Sequence, residues 1–478
     1  MKLLSKRLVA TLILATLTPS FSIAQTKAPA TQISQARAAF RVPVEYYKLP
    51  NGLRVVLSPD RTAPTATVAT YYNIGFRIEP RNRTGFAHLF EHMMFQGSQN
   101  LGKMEFIRLV QANGGILNGS TRFDFTNYFQ IVPANKLETM LWAEADRMRG
   151  LDITQENLTN QQGVVKNEVK VNVLNAPYGG FPWLDMPQYA NTNWHNAHNF
   201  YGDLKDLDAA TLDDVQSFFK TYYAPNNAVL VVVGDFETAD AKRMVAKYFT
   251  DIPASKIPAQ PDLSEPRQDK EKRFAKPDAL ARRPALAYAY HMPARNTPEY
   301  YAMGLLNQLL LQGDDALLRQ ELVKRKGLTG NVSGGINLLG NMFNYNGPML
   351  WLVSMFHDAN VPADDLLKAS DTVIERVRTT PIDEATIERL RTKMRSDLYD
   401  QMEQLFGFGR ADLLASFALF DDDPSRINTL EAEFRKVTPA IMQRTAQEYL
   451  RPTNRTVLTI EPKPAVPAAA ATTQGGTR

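Results

Sequence analysis

The sequence predicts an α+β protein built from two homologous units, each a mainly antiparallel sheet packed with helices. Three observations lead there. The stretch YYAPNNAVLVVVGDF at 222–236 resembles YLRPTNRTVLTIEPK at 449–463, with Tyr, Pro and Asn in register at an offset of 227 residues. Self-similarity at a long fixed offset is the mark of a duplicated unit. Strand-like and helix-like stretches alternate along most of the chain. Its 478 residues are enough for two or more domains with ample cores.

Taken in order, residues 1–24 read as a secretory signal. Lys2, Lys6 and Arg7 precede an apolar run from Leu8 to Leu17, and Ser22-Ile23-Ala24 offers small residues for cleavage before Gln25. The rival reading is a membrane anchor, but the run is short for a bilayer and is followed by Pro19. Residues 25–42 form a flexible lead-in. Residues 43–250 form the first unit, 251–283 a linker rich in Pro, Lys, Asp and Gln, and 284–462 the second unit. Residues 463–478 form a disordered tail of Pro, Ala, Thr and Gly.

Within the first unit, two short strands flank the turn signal Asn51-Gly52, and 65–75 is a third strand. A helix ends at Gly114-Gly115. Thr121, Phe123, Phe125, Phe129 and Ile131 fall on one face of a strand spanning 120–132, entered through Asn118-Gly119. Helices follow at 134–150, 155–175 and 205–223, the last capped by Thr211, and then a buried strand ends at Gly234. The second unit carries helices near 297–312, 364–378, 383–405, 408–421 and 438–450.

The charge balance excludes one class of partner. There are 54 basic and 50 acidic residues, and three of the basic ones lie in the signal. Such a near balance gives nucleic acid no footing. The chain has no cysteine, which excludes disulfides and any Cys-ligated metal. No segment after the signal reaches transmembrane length, so the mature protein is expected to be exported and soluble, in the periplasm of a bacterial cell.

The chemistry concentrates in Gly85–Phe95, GFAHLFEHMMF, which holds His88, Glu91 and His92 in the order H-x-x-E-H. The neighbours are apolar and contain no Pro, so the stretch is helical. Positions i and i+4 share a helix face, so His88 and His92 aim two imidazoles at one point, as two ligands of a zinc ion would. Glu91 borders that face and can reach a zinc-bound water as a general base. A solvated polar face is the plain alternative, but Leu89, Phe90, Met93, Met94 and Phe95 make this helix largely buried, where unsatisfied imidazole and charge are costly. The order H-x-x-E-H marks the inverzincins.

TGFAHLFEHMMFQGS resembles the signature of the pitrilysin/insulinase metallopeptidase family, particularly its processing-peptidase-like branch. The likeness runs over roughly 44–462 and implies a processing-peptidase-like metallohydrolase fold in two homologous units. It also implies a third zinc ligand on a separate helix, at Glu168 in GVVKNEVKVN, 76 residues after His92. Relatives usually carry a second Glu two turns before that ligand; here the position is Gln161, which can still orient a neighbour by hydrogen bonding. NGSTRFDFTNYFQIVP is similar to the family's N-A-x-T edge strand, with Gly119 in place of the usual Ala. In relatives that edge pairs with the bound peptide, which makes Asn118, Gly119 and Thr121 candidate substrate contacts. From the pattern alone, an ordinary core strand fits equally well.

The function implied is that of a zinc-dependent endopeptidase with one Zn2+ per chain, acting on peptides or unfolded polypeptides through Glu91. A non-catalytic, peptide-binding chamber subunit is the alternative, against which the intact Glu91 stands. A closed structural zinc site would want four protein ligands. His195 and His198 have metal-like spacing but no nearby carboxylate motif, and His291 and His357 are lone residues. In relatives the metal-free half supplies an Arg and a Tyr to the transition state, from a segment like R-x-x-R-G-L-x-Y. The matching stretch, Gln320–Gly330, places Val323 and Gly330 at those positions, with Lys324, Arg325 and Lys326 as local substitutes for the Arg. The resemblance therefore implies a metal-bearing subunit that pairs with a homologous metal-free subunit supplying the Arg and Tyr.

Overall fold

The computed structural model describes residues 40–462. The expected signal (1–24), all but the last three residues of the lead-in (25–42), and the tail (463–478) lie outside the described residues.

Two sheets carry the architecture. The first has strands β1 (Glu45–Lys48), β2 (Arg54–Pro59), β3 (Thr65–Tyr72), β4 (Ile116–Thr121), β5 (Thr126–Pro133) and β6 (Ala228–Gly234), in the order β1-β2-β6-β3-β5-β4. The second has β7 (Lys272–Asp278), β8 (Ala285–His291), β9 (Ser333–Ile336), β10 (Leu350–Phe356) and β11 (Arg455–Pro462), in the order β7-β11-β8-β10-β9. Setting β1 aside, the two orders are the same, and in each sheet one pair is parallel: β2 with β6, β7 with β11. Strand β7 lies inside the stretch read from sequence as linker.

The repeat extends to individual hydrogen bonds. Pro225–Asn227 and Pro452–Asn454 each form a single 3-10 turn leading into β6 or β11, with Pro at its start, where a missing N–H costs nothing. Asn227 Nδ2 donates to the Tyr222 carbonyl at 2.8 Å and Asn454 Nδ2 to the Tyr449 carbonyl at 2.8 Å. Each also reaches the carbonyl just beyond or at the end of the adjacent strand, Asn73 and His291. The recurring Tyr, Pro and Asn of the sequence are these turns.

Alternation along the strands buries both faces of each sheet. On the first, Val68, Leu230 and Val232 face α1 (Phe86–Met93), α2 (Leu137–Arg149) and the helices Leu212–Tyr222 and Thr238–Phe249. The opposite face, with Ala69, Tyr71, Val229, Val231 and Val233, is covered by helix Phe408–Asp421, which comes from the second half of the chain. The exchange is mutual. Helix Asp185–Ala190, from the first half, lies on Ala285, Ala287 and Ala289 of β8 and on Leu458 and Ile460 of β11.

Asp412 pins the first of these contacts. It is buried on helix Phe408–Asp421 and accepts a hydrogen bond from Tyr71 Oη at 2.9 Å and two more from Asn341 and Asn344 at 3.2 and 3.1 Å. Burial pushes its carboxyl pKa up against these donors. Tyr71→Phe should cost about 1–3 kcal/mol in urea denaturation, because it strips one donor from a buried carboxyl group.

One expectation needs correction. The strand read as continuous over 120–132 is a hairpin, β4 and β5, joined by a turn in which the Arg122 N–H donates to the Phe125 carbonyl at 2.8 Å. Tertiary contacts impose the turn. Arg77 pairs with Asp124 at 3.1 Å, both side chains nearly fully buried, and the N–H groups of Phe76 and Arg77 bond the carbonyls of Arg122 and Phe123. Asn118-Gly119 therefore lies within β4 rather than at a strand entry. The single helix expected over 205–223 is likewise two, Leu204–Ala209 and Leu212–Tyr222. Thr211 caps the second, in a reciprocal capping box with Asp214.

Candidate metal centre

Helix α1 follows β3 after the loop 73–85 and presents His88 in its first turn and Glu91 and His92 in its second. Helix α3 (Gln155–Val169) packs against α1 and brings Glu168 to the same point. His88, His92 and Glu168 each offer a ligand atom within 4.8 Å of the other two, and among the described residues they form the one such group. His88 Nε2 lies 3.6 Å from Glu168 Oε1, and His92 Nε2 lies 3.3 Å from Glu168 Oε2.

These distances allow a test of fit. They are longer than an ordinary N–H···O hydrogen bond. Ligands about 2.0–2.1 Å from a tetrahedral zinc stand about 3.3–3.4 Å from one another. The separations thus suit three donors around a shared ion better than direct pairing, and two imidazoles with one carboxylate are a catalytic-type zinc donor set. The residues present fit the metal.

Electrostatics agree. Contacts with His88 and then His92 hold the Glu168 carboxyl well below the usual carboxylate range, although burial opposes them. Burial by itself lowers the His92 pKa, but Glu168, then Glu91 and Gln161, together raise it further, and the net shift is upward. Gln161 is thus in contact with His92; it is buried, and its amide nitrogen donates to Asn160 Oδ1 at 2.8 Å.

Glu91 is held apart from the three donors. Thr121 Oγ1 donates to Glu91 Oε2 at 2.7 Å, from the end of edge strand β4. Thr121 is buried and its hydroxyl proton is engaged, so it orients the carboxylate. Asn118 is exposed on β4, and its Oδ1 accepts from the Gly119 N–H at 2.9 Å. A Cβ on Gly119 would meet the Tyr128 ring at 3.1 Å, a tight contact. The edge that can accept another strand is Ile116–Thr121; Tyr128, on β5, is buried.

The other histidines are engaged elsewhere. His195 Nδ1 meets the Arg77 carbonyl at 2.8 Å. His198 stacks on Trp194 at 4.3 Å between ring centroids, and its Nδ1 meets the Trp194 carbonyl. They belong to no metal-ligand group among the described residues. In the second half, Val323 is packed against the core, Gly330 is exposed, and Arg325 is ion-paired with Glu321.

Sequence models of the family match in two blocks, one described as insulinase (peptidase family M16) over residues 54–194 and one as the M16 inactive domain over 209–394. The chain belongs to the insulinase, or M16, peptidase family. The zinc protease PqqE of Helicobacter pylori is 27% identical over 431 residues, covering 87% of this chain and 93% of that protein. The crystal structure of a protease from Helicobacter pylori superposes with a TM-score of 0.80 at 25% identity, over 88% of this chain and 100% of that one. The periplasmic protease PqqL from Escherichia coli shares the fold, with a TM-score of 0.70 at 17% identity over 89% of this chain and 48% of that one. The block carrying the three donors is thus the one matched by the insulinase model, and most of the second sheet lies under the inactive-domain model.

Two residues of this M16 site have no motif to reveal them. Tyr201 lies against His88, with ring centroids 5.2 Å apart, and is backed by Trp183 at 5.5 Å. His88 Nδ1 is buried without a hydrogen-bond partner, so packing against Tyr201 and His92 orients its ring. Glu79, fully buried, lies under the start of α1. The one available signal was its place six residues before Gly85, just upstream of the metal helix.

Proposed function

We propose that this M16 chain is an exported zinc-dependent endopeptidase that cleaves peptides or unfolded polypeptides, with Glu91 as general base. The observation that carries this is the Thr121–Glu91 hydrogen bond, which holds a carboxylate beside the three-donor cluster without making it a donor. His88, His92 and Glu168 would hold the zinc, which supplies Lewis acidity toward the scissile carbonyl and the attacking water. Thr121 occupies Glu91 Oε2, leaving Oε1 to take a proton from water and later deliver it to the leaving amine. The substrate lies extended along the free edge of β4, with Asn118 and Gly119 beside it. Gln161 steadies His92 in place of a second acidic residue.

The same reading includes a partner. Neither Val323 nor Gly330 has a side-chain donor for an oxyanion, and Arg325 is paired with Glu321, so the missing Arg and Tyr are assigned to a homologous, exported, metal-free subunit. Each missing donor is worth roughly a hundredfold or more in rate. The mature chain, purified from the periplasm with an N-terminus near Gln25, should carry about one zinc. Alone it should hydrolyse peptides at least about a hundredfold more slowly than when co-expressed with the partner. Full activity from the isolated chain would remove the partner from the scheme. Among the described residues no helix is long and apolar enough to cross a membrane.

A further inference from the structure

Helix α1 has only eight residues, and the first ligand, His88, is the third of them. Its position depends on the first turn, where a helix leaves its N–H groups without intrahelical partners. The usual remedy is a side-chain cap at the preceding residue. That residue is Gly85, at φ +83°, with no side chain to offer. Nor can it be given one: a Cβ there would come within 2.9 Å of the Tyr201 carbonyl and 3.3 Å of Leu207. Gly202, itself at φ +80° and next to Tyr201, is packed as closely: a Cβ on it would come within 2.4 Å of the Gly85 nitrogen.

The carboxyl group of Glu79 takes the cap's place. Its Oε2 accepts the Gly85 N–H at 2.9 Å and its Oε1 accepts the Ala87 N–H at 2.6 Å. Glu79 is 0% exposed, so the contact is shielded from water; burial pushes its pKa up to about 8 against the two N–H donors, and His198 Nε2 lies 4.0 Å away. The loop between Glu79 and α1 is fixed as well, since Thr84 bonds Asp206 through both its N–H and its hydroxyl. Because His88 Nδ1 has no partner of its own, no side-chain bond would recover the ring's position if the first turn frayed.

We infer that Glu79 is a positioning residue for the metal. It fixes the first turn of α1 so that His88 meets His92 and Glu168. The inference rests on the zinc reading above and concerns His88 specifically, because His92 lies one turn further along the helix. Glu79→Gln keeps the shape but turns an amide N–H2 toward a backbone N–H. Glu79→Asp shortens the reach and loses at least one of the two contacts.

The test is a double-mutant cycle on zinc affinity, measured by competition with a chelating dye at a temperature where every variant is folded. Glu79→Gln should weaken zinc about 10- to 100-fold, the usual effect of removing support behind a ligand. In a His88→Ala background the same change should have almost no further effect, since the ligand being positioned is gone. Equal loss in both backgrounds would overturn the inference, as would unchanged affinity in Glu79→Gln. If Glu79→Gln does not fold, Glu79→Asp takes its place in the cycle with the same expectations. Asp412→Asn, another buried carboxyl far from α1 in sequence, should lower thermal stability without changing zinc affinity. A wild-type chain that binds no zinc would instead defeat the metal reading itself.

Discussion

Glu91→Gln should bind zinc as the wild type does and hydrolyse peptides about 10^3- to 10^4-fold more slowly. The amide matches the carboxylate in shape, and its oxygen can still accept the Thr121 hydroxyl, so α1 should keep its place. Glu91 is outside the three-donor group, so metal content should hold. What disappears is the proton acceptor and its negative charge, both needed when water attacks. Zinc stoichiometry and single-turnover cleavage, measured on one preparation, separate the two roles. A wild-type rate from this variant would dismiss Glu91 as the base.

Glu168→Ala should lose zinc by at least about a hundredfold in affinity, and activity with it. Glu168 is the only anionic member of the group, and it faces both imidazoles at 3.6 and 3.3 Å. His88→Ala and His92→Ala should do the same. Full zinc retention in Glu168→Ala would move the third ligand elsewhere. The same carboxylate sets the pH range. A ligand imidazole must be neutral, and Glu168 raises the His92 pKa above its ordinary value of about 6.5. As pH falls, protons therefore compete for His92 sooner than for an unperturbed histidine, and zinc affinity should start to drop above that pH. An NMR titration of the metal-free wild type against metal-free Glu168→Gln checks the sign: the His92 imidazole should titrate at lower pH in the variant. An unchanged titration would remove Glu168 as the cause.

The parts of this site that the sequence revealed depend on local spacing. His88 and His92 share a helix face because four residues make about one turn, and the surrounding Leu89, Phe90 and Met93 announced a buried helix. The Tyr, Pro and Asn of the repeat were legible because each does the same local work twice. What stayed hidden depends on tertiary approach. Nothing in the alternation of 120–132 signals a turn at 122–125, because Arg77, not the local residues, bends it there through Asp124. Thr121 read as a substrate contact, since only the fold aims its hydroxyl at Glu91. Tyr201 and Glu79 reach α1 from segments with no spacing rule to connect them. Glu168 needed the family resemblance, because a carboxylate on a distant helix carries no periodic signal of its own.

The crossed helices over the two sheets bear on how this duplicated chain can change over time. Each half leaves one face of its sheet bare, and the other half supplies the missing layer: helix Phe408–Asp421 for the first, helix Asp185–Ala190 for the second. Neither half, cut free, would be a finished globule; each would expose a broad greasy surface. The half without the three-donor group therefore cannot simply be discarded, because the half that carries the group would lose one covering layer of its sheet. Duplication here has become dependence, and the copy without the motif persists as scaffolding for the copy that has it.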